Sequence, residues 1–129
     1  MFSHIMLGSN DIARSKRFYD AIMGAMGCGP VEPNAKGRLA YVHRGGRLVI
    51  TKPLNGQPAT AGNGSTIGFA VSSPEEADAW HKAGVANGGE AIENPPGIRN
   101  SADGGHYYLA YLRDPDGNKL CALFNIPSE

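Results

Sequence analysis

Cysteine is scarce in this chain of 129 residues: Cys28 and Cys121 are too few for a disulfide framework, and free thiols are the plain reading. Charge of one sign is lacking too. Twelve Lys and Arg balance twelve Asp and Glu, which argues against a nucleic-acid partner, since a phosphate backbone demands a basic surface. No run approaches the roughly 18 apolar residues of a membrane span, and the first residues lack the charged-then-apolar order of a secretion signal. The expectation is a cytoplasmic chain of one domain's length, with neither nucleic acid nor membrane as a partner. Glycine and proline, by contrast, are plentiful at 18 and 9, which implies many turns between short elements.

The strongest internal signal is a repeat. His4 to Asn10 leads into a helical pattern ending near Gly27, and Thr66 to Ser72 leads into another ending near Gly89. A constant offset superimposes His4 on Thr66, Phe18 on Trp80 and Gly27 on Gly89. Two copies at a fixed spacing imply paired half-domains, each with an apolar face that needs the other. A cleft between them is the natural place for function.

Residues 2–8 read as a strand, with Phe2, His4, Met6 and Gly8 on one face and Ile5 and Leu7 on the other. Asn10 or Asp11 caps the first helix, whose buried stripe is Ile12, Ser15, Phe18 or Tyr19, Ile22 and Met26. Residues 39–43 and 47–52 form a hairpin through Gly45-Gly46, and residues 53–64 read as the linker between halves. In the second half, Ser73-Pro74-Glu75-Glu76 predicts a capping box, followed by a stripe of Ala77, Trp80 and either Ala83 or Gly84. Residues 94–105 look like a loop. A last hairpin of residues 107–113 and 118–124 turns at Asp114-Pro115-Asp116-Gly117.

In this order the chain resembles the vicinal oxygen chelate superfamily, which includes glyoxalase I, bleomycin-resistance proteins and extradiol dioxygenases. The resemblance rests on His4, Leu7, Asn10-Asp11, Arg14-Ser15 and Phe18-Tyr19, on residues 64–71, and above all on Leu112-Arg113-Asp114-Pro115-Asp116-Gly117-Asn118. It implies an α+β fold of two βαβββ modules, residues 1–52 and 65–126, whose curled antiparallel sheets enclose a cavity. It also implies a divalent metal held from the first and last strands of each module, where imidazole and carboxylate donors suit a Lewis-acidic ion.

Carried over one at a time, those ligand positions fall on His4, on Thr66, on Cys121 where a glutamate is usual, and on Val49 or Ile50. His4 alone is a standard ligand, fewer than the three protein ligands that catalytic zinc sites use. No metal or other cofactor is therefore expected, although a divalent metal stays open as an alternative. His4 is equally readable as a satisfied cavity histidine, and Cys121 as a small buried hydrophobe. If the chain is an enzyme, His4 is the candidate base and Cys121, His106 or Lys52 its partner. Ligand contacts are expected from Tyr41, His43, Lys52, Thr66, Arg99, His106 and Tyr108, residues suited to a small anionic or aromatic molecule. The expected function is small-molecule binding between the modules. The alternative is a lyase of lactoylglutathione lyase type or a dioxygenase with a non-standard or metal-free site. The resemblance further suggests a homodimer.

Overall fold

The computed structural model describes residues 1–127. In chain order the elements are β1 (Ile5–Gly8), α1 (Ile12–Ala25), β2 (Leu39–His43), β3 (Gly46–Thr51), β4 (Ile67–Ala70), α2 (Pro74–Ala86), β5 (Glu90–Ala91), β6 (Gly97–Asn100), β7 (His106–Arg113) and β8 (Lys119–Asn125). The repeat survives in the coordinates, with β1 and β4, and likewise α1 and α2, beginning 62 positions apart (67 − 5 and 74 − 12).

Each half forms its own curled sheet, giving the expected α+β arrangement, with three strands in the order β1-β3-β2 and five built on β4-β8-β7-β5, β6 also pairing with β7. Two details differ from the expected pair of four-stranded antiparallel sheets. The first and last strands of each half, β1 with β3 and β4 with β8, run parallel, because the helix between carries the chain back across the sheet. The first half also has one strand fewer. Gly27, Gly29, Pro30, Pro33 and Gly37 interrupt residues 27–38, and proline offers no amide to a ladder. In the second half, residues 94–105 are not all loop: Gly97–Asn100 pairs antiparallel with His106 to Leu109. That strand is short and framed by Gly and Pro, so its own pattern gives no signal.

The first hairpin turns one residue earlier than Gly45-Gly46. Arg44 (φ 49°) and Gly45 (φ 80°) occupy the turn, both in the left-handed region that a two-residue hairpin requires. Asp11 caps α1 by accepting from the Arg14 amide at 3.0 Å, and Ser73 caps α2 by accepting from the Glu76 amide at 3.1 Å. The capping box is only half formed. Glu76 instead accepts from the Ser72 amide and hydroxyl, and from both terminal nitrogens of Arg44 at 2.8 and 3.2 Å. This fork, then the Ser72 bonds, holds the Glu76 carboxyl below its usual range and ties the first hairpin to the second helix.

One core serves both halves. Both Phe18 and Tyr19 are fully buried, with Ile22, Trp80, Leu39, Ile50, Leu112 and Leu120. The chain packs closely at Gly84 of α2, where a Cβ would lie 2.3 Å from Leu112 Cδ1 of β7 and 3.2 Å from Ile22 of α1, and at Gly89, where it would lie 2.5 Å from Phe18 Cε1 and 2.8 Å from the Gly84 carbonyl oxygen. Only glycine fits there.

The Asp-Pro-Asp-Gly-Asn turn locks the halves together. Buried Asp114 accepts from the Tyr19 hydroxyl at 2.5 Å, the Asn118 side-chain amide at 2.8 Å, and the backbone amides of Asp116 and Asn118 at 2.9 Å each. Asp116 reaches the start of α1, accepting from the Asn10 amide and the Arg14 guanidinium at 2.9 Å and from the Ser15 hydroxyl at 3.2 Å. The Asn118 amide also donates to the Gly8 carbonyl at 3.3 Å. The residues 53–64 are tied in as well, since the Asn10 side chain bonds both the N–H and the C=O of Ala59.

Candidate functional site

Strand alternation separates two faces in each sheet. Ile5, Leu7, Leu48, Ile50, Leu39 and Tyr41 pack against the helices, as do Ile67, Phe69, Leu120, Ala122 and Leu112. The opposite faces carry Met6, Val49, Ala40 and Val42 in the first half, and Gly68, Cys121, Leu123, Tyr111 and Arg113 in the second. Because Met6 pairs with Val49 as Gly68 pairs with Cys121, and Met6 lies 62 positions before Gly68, the first-half counterpart of Cys121 is Val49 and not Ile50. The four positions are thus His4, Val49, Thr66 and Cys121.

Those residues do not suit a transition metal. Valine has no donor and a neutral threonine hydroxyl is a weak one. Burial, reinforced by the Glu93 carboxylate, pushes the Cys121 thiol up to about 11, so it is protonated at neutral pH. Among the described residues, no three His, Cys, Asp or Glu side chains converge to hold an ion. One consequence is measurable. In a Cys28→Ser variant at pH 8, alkylation of Cys121 by iodoacetamide, followed by mass spectrometry, should be at least about a hundredfold slower than that of an exposed cysteine. Comparable rates would place the thiol in an open, ionised setting.

A cavity of about 330 Å³ lies where the two halves meet, between the start of β1, the C-terminal end of α1, the first hairpin and β4. It gathers His4, Tyr41 and His43 from the expected set, amid Phe2, Met23, Met26, Leu48 and Phe69. His43 Nε2 donates to the Met26 carbonyl at 2.8 Å, which places a proton on that nitrogen and fixes the ring's orientation. His4 is exposed and its Nδ1 is bonded to the Ser3 hydroxyl at 2.8 Å. Tyr41 points to the helix side, donating to Asp20 Oδ1 at 2.8 Å; burial first, then that bond, drives its phenol well above the ordinary range.

The other expected contacts lie elsewhere. Lys52 borders a groove with Lys36, Arg38 and Leu54. Arg99 donates to the carbonyls of Pro95 and Ile98, and His106 Nδ1 donates to Asn100 Oδ1 at 2.5 Å, on the exposed β6–β7 hairpin. Tyr108 faces α2 and donates to Asp78 at 2.7 Å, a bond that raises its phenol. Thr66 lines a polar pocket with Arg113 and Lys119, neither of them among the expected ligand contacts. Their common parity across the last hairpin was the available signal.

Two halves of strand, helix and further strands, sharing one core and meeting at a cavity, define the class of paired-module α+β proteins to which glyoxalases and bleomycin-resistance proteins conform. The chain belongs to the glyoxalase/bleomycin resistance protein/dioxygenase superfamily, whose family model matches residues 1–122. It is similar to a glyoxalase/bleomycin resistance protein from Albidiferax ferrireducens T118, at 59% identity over 96% of this chain and 98% of that one, with a TM-score of 0.91. A glyoxalase-related enzyme from Fulvimarina pelagi is 26% identical over 97% and 88% of the two chains, with a TM-score of 0.71. Lactoylglutathione lyase from Agrobacterium tumefaciens, 18% identical over 96% and 92% with a TM-score of 0.63, shares the fold. No curated protein matches the chain. Among the described residues, no helix is long and apolar enough to cross a membrane.

Proposed function

We propose that this protein binds a small, largely apolar or aromatic molecule in the cavity between its halves, without a resident metal. The carrying observation is the cavity itself: about 330 Å³, walled from both halves by Phe2, Met23, Met26, Leu48 and Phe69, with His4, His43, Arg44 and Arg47 among its polar residues. A few fixed polar groups on an apolar wall are what a small-molecule site needs. Arg47 at the same cavity supplies a cation for a ligand that also carries negative charge. The family's metal-binding positions support the metal-free reading, since Val49 offers no donor and Thr66 only a neutral hydroxyl, which leaves His4 and Cys121, fewer than the three protein ligands a catalytic site uses. For the same reason a lactoylglutathione lyase-like or dioxygenase reaction gains no residue from this geometry. Cytoplasmic location and a homodimer belong to the same reading. Exposed Met6 and Val42, on the face of the first sheet away from the helices, are surface a second copy would cover.

The test is an NMR screen of small aromatic fragments on protein first exposed to zinc, nickel, manganese and iron(II) and assayed for metal content. A fragment bound here shifts the ring resonances of His4 and His43, and His4→Ala weakens it about fivefold, the worth of one hydrogen bond. Stoichiometric metal that disappears in His4→Ala, or shifts confined to other surfaces, would sink the proposal.

A further inference from the structure

We infer that a second pocket, between residues 61–66 and the base of the last hairpin, binds the phosphate or carboxylate group of a small molecule between Arg113 and Lys119. It is separate from the cavity of the preceding reading and does not depend on it. The pocket measures about 420 Å³, and no side chain on the residue 61–66 wall is apolar beyond a methyl group, that wall being Ala61, Gly62, Asn63, Gly64, Ser65 and Thr66.

Charge placement carries the inference. Arg113 and Lys119 are direct partners in the antiparallel register of β7 and β8, so both project from one face, and both are half-buried. Like charges directly opposite one another repel, and among the described residues a carboxylate offsets only one of the two, Lys119. A bound anion between them would remove the repulsion. Arg113 spends one N–H on a neutral acceptor, the Gly117 carbonyl at 2.8 Å. Glu90 is its register partner on β5, yet no carboxylate among the described residues pairs with it. The rest of its planar fork is free to grip two oxygens of one oxyanion, which a lone ammonium cannot do. On the facing wall Thr66, Ser65 and Asn63 add neutral donors, and Gly64 takes a φ of 94° that lets the loop turn tightly beside the strands.

Lys119 already has an internal partner. Its ammonium pairs with Glu93, a residue held at φ 58°, which is uncommon for glutamate. Glu93 thus occupies one cation with a carboxylate of the protein's own, and an incoming oxyanion competes with it. This yields a prediction opposite in sign to that of a purely structural ion pair: Glu93→Gln frees Lys119 and tightens anion binding.

The experiment is a titration of ¹⁵N-labelled protein with inorganic phosphate and, in parallel, with acetate, at constant ionic strength set by sodium chloride. Saturable shifts are expected at the amides of Gly62, Gly64 and Thr66. Lys119→Gln should weaken the tighter anion about tenfold and Glu93→Gln should strengthen it severalfold, while His4→Ala leaves it unchanged. Among the described residues the Lys119 ammonium contacts only the Glu93 carboxylate and the Tyr111 ring, so Lys119→Gln leaves the β7–β8 ladder in place, and each variant's spectrum reports whether the fold is intact. Preference for phosphate assigns a phosphate ester, and preference for acetate assigns a carboxylate. Shifts that chloride reproduces, wild-type affinity in Lys119→Gln, or no gain in Glu93→Gln would overturn the assignment.

Discussion

Asp114→Ala should cost about 3–5 kcal/mol of folding stability, the range for stripping a buried charged group from its hydrogen-bonded partners. The carboxylate is 4% exposed and accepts four bonds, from Tyr19, from the Asn118 side chain, and from two turn amides. Alanine would leave all four donors without their acceptor, the Tyr19 hydroxyl and the Asn118 amides in buried surroundings. It would also release the turn that presents Asp116 to Asn10, Arg14 and Ser15, and so loosen the junction of the halves. Urea unfolding checks this. The midpoint should fall by about a third to a half for a domain of about 10 kcal/mol stability, and Tyr19→Phe, which removes one donor and leaves three, should cost only about 1–2 kcal/mol. A similar loss in both variants would show that the phenol, and not the turn, carries the effect.

Trp80→Ala should be comparably damaging, at about 3–5 kcal/mol, for a different reason. The indole is fully buried, rests against Phe69 with ring centroids 6.0 Å apart, and belongs to the core shared by both halves. Its removal leaves a cavity that the rigid contact of α1 and α2 at Gly84 cannot collapse to fill. The nitrogen adds a discriminating control. Trp80 Nε1 is buried with no hydrogen-bond partner among the described residues, so Trp80→Phe discards an uncompensated polar group along with part of the ring. Thermal denaturation should therefore find Trp80→Phe within about 1 kcal/mol of the parent, far from Trp80→Ala. If Phe were nearly as costly as Ala, the indole N–H would have to hold a partner of its own.

Much of the fold was legible in the chain. The 62-residue offset set both module starts, and the helix stripes named Phe18, Ile22 and Trp80 because apolar residues at helical spacing can only be hidden on one side. Where two neighbours fitted the stripe, packing decided: Phe18 and Tyr19 are both buried, and Gly84 is the residue at the helix contact. The strand of residues 97–100 escaped because pairing with β7, and not its own composition, makes it a strand.

The candidate site was less legible, for a physical reason. Alternation along a strand says which residues share a face but not what that face meets. Tyr108 turns to α2, where Asp78 accepts its hydroxyl bond, and Tyr41 borders the cavity but spends its hydroxyl on Asp20 of α1. Lys52, Arg99 and His106 are polar residues near loops, but Lys52 borders a separate groove, and Arg99 and His106 lie on the β6–β7 hairpin, outside the lining of the cavity.

By itself the sequence determined the two-module α+β plan and the turn that joins the halves, since each depends on residue type at a local spacing. Only the tertiary structure decided the partner of Cys121, which is Val49, the gathering of His4 with His43 at one cavity, and the opposition of Arg113 and Lys119 beside a glycine-rich loop. Those depend on strand register and on the meeting of segments far apart in the chain. No local periodicity encodes either, because both arise from packing two halves around one core.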